Sequence, residues 1–139
     1  MASVNPYLNF QGNCEAAFNH YKKVFGGEFA MVSRFSEMPP EHPCEPDEKD
    51  KIMHVMLPIG NNTVLMGSDI PKSYPNPTTG SNFAVAVAPE SKEEANRIFS
   101  GLAEGGNITM PIGPTFWAEA FGMLIDKYGI SWMVNYGNK

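Results

Sequence analysis

One order of elements, strand, helix and then three strands, can be read twice along these 139 residues, and that duplication constrains the fold more than any single motif. Asn5-Pro6-Tyr7-Leu8-Asn9-Phe10 aligns with Asn82-Phe83-Ala84-Val85-Ala86-Val87, 77 positions later, and the double glycines Gly26-Gly27 and Gly105-Gly106 stand 79 apart. Each half is too small to bury the face of its own sheet, so the two halves are expected to pair their sheets around a shared cavity. The spacing predicts an α+β chain forming a single domain over 1–139, with one βαβββ module at about 1–70, a linker at about 71–80 and a second module at about 81–139.

The elements follow from local pattern. Val4 to Phe10 reads as a strand, with Gly12 and Asn13 as break and cap. Cys14, Ala17, Phe18, Tyr21 and Phe25 then lay one apolar stripe along a helix, which Gly26-Gly27 ends. Glu28 to Ser36 reads as a second strand. Glu37 to Asp50 holds four prolines and six acidic side chains, so it is expected to be a solvated loop. Lys51 to Leu57 and Thr63 to Asp69 read as strands joined through Pro58-Ile59-Gly60-Asn61-Asn62, and a proline-rich connector, Pro71 to Gly80, closes this half. In the second half Asn82 to Ala88 is a strand, and Ser91-Lys92-Glu93-Glu94 is a capping box opening a helix with inner residues Ala95, Ile98, Phe99 and Leu102. Ile108 to Ile112, Phe116 to Asp126 and Ile130 to Tyr136 supply the remaining strands, the last two joined by Asp126-Lys127-Tyr128-Gly129.

Charge and composition exclude several classes of function. Ten basic against fifteen acidic side chains give a formal charge of -5, and the basic ones are scattered, so no patch suited to nucleic-acid phosphates is expected. No apolar run approaches the roughly 20 residues needed to cross a bilayer, and Met1 to Asn9 does not have the build of a secretory leader, so a cytoplasmic protein is expected. Two cysteines, Cys14 and Cys44, are too few for a disulfide framework. Cys14, near a helix start, reads as a small buried residue on the helix's inner face. His20 lies opposite the apolar stripe and reads as solvated. His42 beside Cys44 is too sparse a pair for a metal site.

Pro6-Tyr7-Leu8-Asn9-Phe10, Ala16-Ala17-Phe18, Tyr21-Lys22-Lys23-Val24-Phe25-Gly26-Gly27, Ile52-Met53-His54-Val55, Leu65-Met66-Gly67-Ser68-Asp69, Trp117 and Asp126-Lys127-Tyr128-Gly129-Ile130-Ser131-Trp132 together resemble the PhnB-like branch of the vicinal oxygen chelate superfamily, relatives of glyoxalase I, bleomycin resistance proteins and extradiol dioxygenases. The resemblance runs through almost the whole chain. It implies eight strands in two βαβββ modules curled around a central cavity, the glyoxalase-like fold, and often a homodimer. Enzymatic members hold a divalent metal with His, Gln or Glu on the first strand and Glu on the fourth strand of each module. Asn5, Met66, Asn82 and Trp132 align at or within a residue of those places. Thioether, indole and neutral amides are poor partners for zinc, manganese or iron, so neither a metal nor another cofactor is expected. The branch also carries a methyltransferase name tied to ubiquinone synthesis, for which the chain has no glycine-rich strand-to-helix loop.

Strand phase nominates the cavity lining. Pairing the last two strands through the Asp126 to Gly129 turn sets Met123 across from Trp132 and Phe121 across from Val134. Alternation then gathers Trp117, Glu119, Phe121, Met123 and Trp132 on one face, and Asn5, Tyr7 and Asn9 on another. Aromatic walls with a few polar groups are the usual make-up of a small-molecule site. Glu119 is a lone carboxylate in an apolar strand, suited to base or cation work if buried, and equally readable as an exposed or paired edge residue. His54 can reach the cavity as ligand, base or donor, in a phase that the five-residue hairpin turn leaves open by one residue. The expected function is therefore metal-free binding of a small, partly aromatic or apolar molecule by a homodimer, through Asn5, Tyr7, His54, Trp117, Glu119, Phe121 and Trp132. The alternative is a lyase, isomerase or dioxygenase whose atypical metal site recruits His54 or Glu119. A third reading has the acidic loop 37–50 meet a partner.

Overall fold

The structure, a computed structural model, describes residues 2–38 and 45–139; His42 and Cys44 lie outside them. Contacts divide the chain into two compact units, residues 1–78 and 79–139. The first holds β1 (Tyr7–Phe10), α1 (Cys14–Phe25), β2 (Met31–Arg34), β3 (Ile52–Ile59) and β4 (Thr63–Asp69). The second holds β5 (Val85–Val87), α2 (Lys92–Ala103), β6 (Asn107–Gly113), β7 (Ala120–Ile125) and β8 (Ser131–Tyr136). Each unit is thus one βαβββ module, and the class is α+β.

The two sheets share one topology. The strand orders are β1-β4-β3-β2 and β5-β8-β7-β6, the first pair in each being parallel and the others antiparallel. In the first unit α1 buries Cys14, Ala17, Phe18, Tyr21 and Val24, and the sheet buries Leu8, Phe10, Val55, Leu57 and Leu65. Gly67 belongs to the same layer, because a Cβ there would stand 2.6 Å from Cε1 of Phe18. In the second unit Ala95, Ile98, Phe99 and Leu102 of α2 are buried, as are Ala120, Leu124, Trp132 and Val134 of the sheet, with Gly122 making room for Phe99. Strand side chains alternate between faces, so each sheet keeps one face without a helix.

Two buried aspartates pin the modules. Asp69, at the end of β4, accepts the backbone N–H groups of Gly12 and Cys14 through Oδ1, at 2.9 and 3.0 Å, and that of Ile52 through Oδ2 at 2.9 Å. It thereby ties the start of α1 and the start of β3 to one carboxylate, which suits the positive end of the helix. Asp126 accepts from the N–H groups of Tyr128 and Ile130 and from Nε1–H of Trp132. Such multiple donors are what let a carboxylate remain buried.

Most differences from the sequence reading lie at element ends. β1 opens at Tyr7, not Val4: Pro6 offers only its carbonyl, which accepts from Met66, while the side-chain Oδ1 of Asn5 takes the N–H of Val64 at 3.0 Å. β2 ends at Arg34 and gives way to a 3-10 turn at Phe35–Glu37. β3 runs on through Pro58 to Ile59, and Gly60 at φ +68° starts the turn. β5 is only Val85–Val87. Ser91 caps α2 by accepting from the Glu94 N–H, whereas the Glu94 carboxylate takes the N–H of Glu90 in place of Ser91's own. The loop 37–50 is not wholly solvated, since Glu48 is buried and accepts the Lys72 N–H. His20 is half-buried beside the Tyr21 ring, contrary to its expected solvation. Among the described residues no helix is long and apolar enough to cross a membrane.

Candidate functional site

In the first unit the helix-free face carries Tyr7, Met31, His54, Met56 and Met66. Their strand neighbours Leu8, Val55, Leu57 and Leu65 point the other way and are buried. Tyr7 Oη and His54 Nδ1 are hydrogen-bonded at 3.2 Å, and the rings stack at 23° with centroids 5.6 Å apart. The register explains the meeting: Tyr7 pairs with Met66 on one side of β4, and Met56, two residues beyond His54, pairs with Met66 on the other. The two rings therefore lean across β4 toward each other. Tyr7 is exposed and His54 half-buried, so the pair is open to a ligand. This settles the phase of His54 that the turn left open.

The second helix-free face carries Phe121, Met123, Met133 and Asn135. Phe121 lies across from Asn135 and Met123 across from Met133. Trp117 packs edge-on against Phe121, with centroids 5.2 Å apart, and Phe116 packs edge-on against Trp117 at 4.8 Å. Phe116 is 89% exposed and Trp117 40% exposed. Both precede β7 in a turn, where Ala118 N–H donates to Oγ1 of Thr115 and Thr115 N–H donates to the Ala118 carbonyl. Proximity to Phe121, not strand alternation, brings Trp117 here. The side-chain Oδ1 of Asn135 is buried and has no hydrogen-bond partner among the described residues.

Two nominated positions, Trp132 and Asn5, differ from expectation, and Glu119 meets the second of its two readings. The β7–β8 register is one residue off the expected one: Leu124 faces Trp132, and Met123 faces Met133. Because one step reverses every side chain, Trp132 points to the helix side, 1% exposed, and donates Nε1–H to Asp126 at 2.9 Å. The Asp126 turn sets this register by accepting from Ile130 as well. Glu119 is exposed; its N–H donates to the Tyr136 carbonyl and its side chain lies over Gly137, so it is no buried base. Asn5 completes the backbone ladder of β4 through Val64.

What the sequence reading missed is a row of methionines across each sheet. Met31 pairs with Met56, Met56 with Met66, and Met66 with Tyr7. In the second sheet Met110 pairs with Met123, Met123 with Met133, and Met133 with Ala86. The rows are duplicates: 56 to 123 and 66 to 133 are both steps of 67, while 31 to 110 and 7 to 86 are both steps of 79. Those equal steps were the available signal.

Tyr7 and Met66 in the first unit and Ala86 and Met133 in the second are thus equivalent neighbours on the first and fourth strands, in place of the pairs Asn5–Met66 and Asn82–Trp132 aligned from the sequence. In the first unit the pair is a phenol and a thioether, in the second a thioether and a methyl, and neither pair suits a hard divalent cation. Among the described residues no three of His, Cys, Asp and Glu come together to hold an ion. A separate cavity of about 310 Å³ at the end of β4 is bordered by Lys51, Lys72, Asp47 and Glu48. Its cations are engaged, Lys72 with Asp47 and Lys51 with the Gly12 carbonyl.

The sequence profile of the family described as 3-demethylubiquinone-9 3-methyltransferase matches residues 2–135. The chain belongs to this family. A structure of protein PA1353 from Pseudomonas aeruginosa is 41% identical over the whole of both chains, with a TM-score of 0.88. A PhnB protein from Bacillus cereus is 28% identical, with 98% of this chain and 100% of that one covered and a TM-score of 0.78. Protein YjdN of Escherichia coli K12 is 32% identical, with 95% of this chain and 93% of YjdN covered. A glyoxalase/bleomycin resistance/dioxygenase family enzyme from Burkholderia phytofirmans, 17% identical with a TM-score of 0.62, shares the fold alone. The chain accordingly has the two-module glyoxalase-like fold and is PhnB-like.

Proposed function

We propose that this chain binds a small, partly aromatic molecule on the helix-free faces of its sheets without the family's divalent metal. The observation that carries the reading is the Tyr7–His54 pair, two stacked and hydrogen-bonded rings left open over apolar methionines. Stacked rings present a flat aromatic edge, and the phenol and imidazole supply the few polar groups that orient a ligand. Methionine adapts its shape to the body of the ligand. The Phe116, Trp117 and Phe121 cluster gives the second unit an aromatic surface of its own. Methyl transfer is not favoured by the strand-to-helix loops: Gln11-Gly12-Asn13 has a single glycine and Ala88-Pro89-Glu90-Ser91 has none, unlike the glycine-rich turns that cradle nucleotide-type cofactors. The same reading takes the working form to be a cytoplasmic homodimer; light scattering on the purified chain tests the dimer, and cell fractionation tests the compartment.

A thermal-shift screen of small aromatic metabolites tests the proposal. Ligands that raise Tm in the unaltered chain are expected to lose that effect in the Tyr7→Phe/His54→Ala double variant, or in Trp117→Ala for those held by the second unit. An undiminished rise in every variant overturns it.

A further inference from the structure

We infer that the first methionine row, with His54, is a binding site for a soft monovalent cation, Cu(I) or its analogue Ag(I). Six of the nine methionines of the chain lie in the two cross-strand rows. In the first row Met31, Met56 and Met66 occupy neighbouring strands in register. Directly opposed residues hold their Cβ atoms about 5 Å apart, and the three rotatable bonds of methionine let adjacent sulfurs converge on one ion. None of the three is fully buried; Met31 is 42% exposed, so an ion can enter without unfolding.

His54 supplies the borderline nitrogen. It stands two residues before Met56 on β3, hence on the same face one pleat away. Tyr7 engages Nδ1, which leaves Nε2 as the nitrogen for an ion and fixes the ring, the support that metal-bound imidazoles ordinarily have. With Nε2 on the ion, the ring proton sits on Nδ1 and donates to Tyr7 Oη. Thioether sulfur and imidazole select soft Cu(I) and discriminate against magnesium, calcium and manganese, which prefer oxygen. The second row has the thioethers, but Ala86 stands where the first has Tyr7, and no histidine lies among 81–139; it lacks the nitrogen donor.

The test uses the full chain carrying Cys44→Ser, with methionine methyls ¹³C-labelled, titrated with silver nitrate. The methyls of Met31, Met56 and Met66 and the His54 ring are expected to shift together and saturate at a common equivalence, with Met53 unmoved and Zn(II) without effect. In a Cu(I) competition against bicinchoninate, Met56→Leu/Met66→Leu is expected to lose at least tenfold in affinity; leucine preserves volume and so the fold, checked by its melting curve. Methyl shifts that scale only with exposure, an adventitious ion only, would overturn the site. So would a double variant that competes for Cu(I) as well as the parent.

Discussion

The indole Nε1–H of Trp132 donates to Oδ2 of Asp126 at 2.9 Å, while the same carboxylate holds the turn that joins β7 to β8. A fully buried indole thus depends on a buried anion six residues before it, and that anion on the turn's N–H groups. Trp132→Phe keeps an aromatic ring but withdraws one donor from the carboxylate. The expected loss of stability is about 1–3 kcal/mol from that donor, increased by the vacated ring volume, and read as a lower urea midpoint. A variant as stable as the parent would show that the bond contributes nothing.

Gly67 and Gly122 let the helix aromatics reach the sheets. A Cβ on Gly67 would meet Phe18 at 2.6 Å and the Leu8 carbonyl at 2.9 Å; one on Gly122 would meet Phe99 at 2.6 Å and Ile112 Cα at 2.9 Å. Because a backbone atom stands in each path, Gly67→Ala and Gly122→Ala are each expected to cost about 1–3 kcal/mol, measured by chemical denaturation.

Burial of Cys14, reinforced by the neighbouring Asp69 and Glu15 carboxylates, pushes its thiol far above the ordinary 9.0. The folded state therefore keeps its proton where the unfolded chain releases it. The contribution is fully present below pH 9 and declines as pH rises above it, by about 1.4 kcal/mol per pH unit. Denaturation curves of the parent minus those of Cys14→Ala isolate this slope from other alkaline titrations. Iodoacetamide is likewise expected to modify Cys14 only as fast as the chain unfolds.

Arg34 grips Glu15 through two hydrogen bonds and holds its carboxyl below the usual range. The sign is the reverse of Cys14: this stabilisation is present above pH 4.5 and lost as pH falls. The pair is partly exposed to solvent, so Glu15→Gln is expected to change stability by less than about 1 kcal/mol, and by less still in high salt.

The modules were legible because amphipathic period and glycine breaks act locally: the stripe Cys14, Ala17, Phe18 and Tyr21 and the box from Ser91 each met their expected helix. The candidate site was legible only in part. Tyr7 and His54 are 47 residues apart, and their meeting depends on β1 and β3 both pairing with β4, a tertiary fact. Trp132 was misplaced because a β-register carries a one-residue ambiguity that only the Asp126 hydrogen bonds resolve. Glu119 was readable either as buried among aromatic neighbours or as an exposed edge residue; it is exposed, because the strand begins one residue later, at Ala120.

A bound small molecule is expected to rest on a helix-free sheet face. With the strongest thermal-shift ligand added to chain labelled at its methionine methyls, the resonances of Met56 and Met66 are expected to move while that of Met53 stays fixed, and the movement is expected to vanish in Tyr7→Phe/His54→Ala. Saturable binding that leaves both Met56 and Met66 unmoved, along with Met123 and Met133, would contradict it.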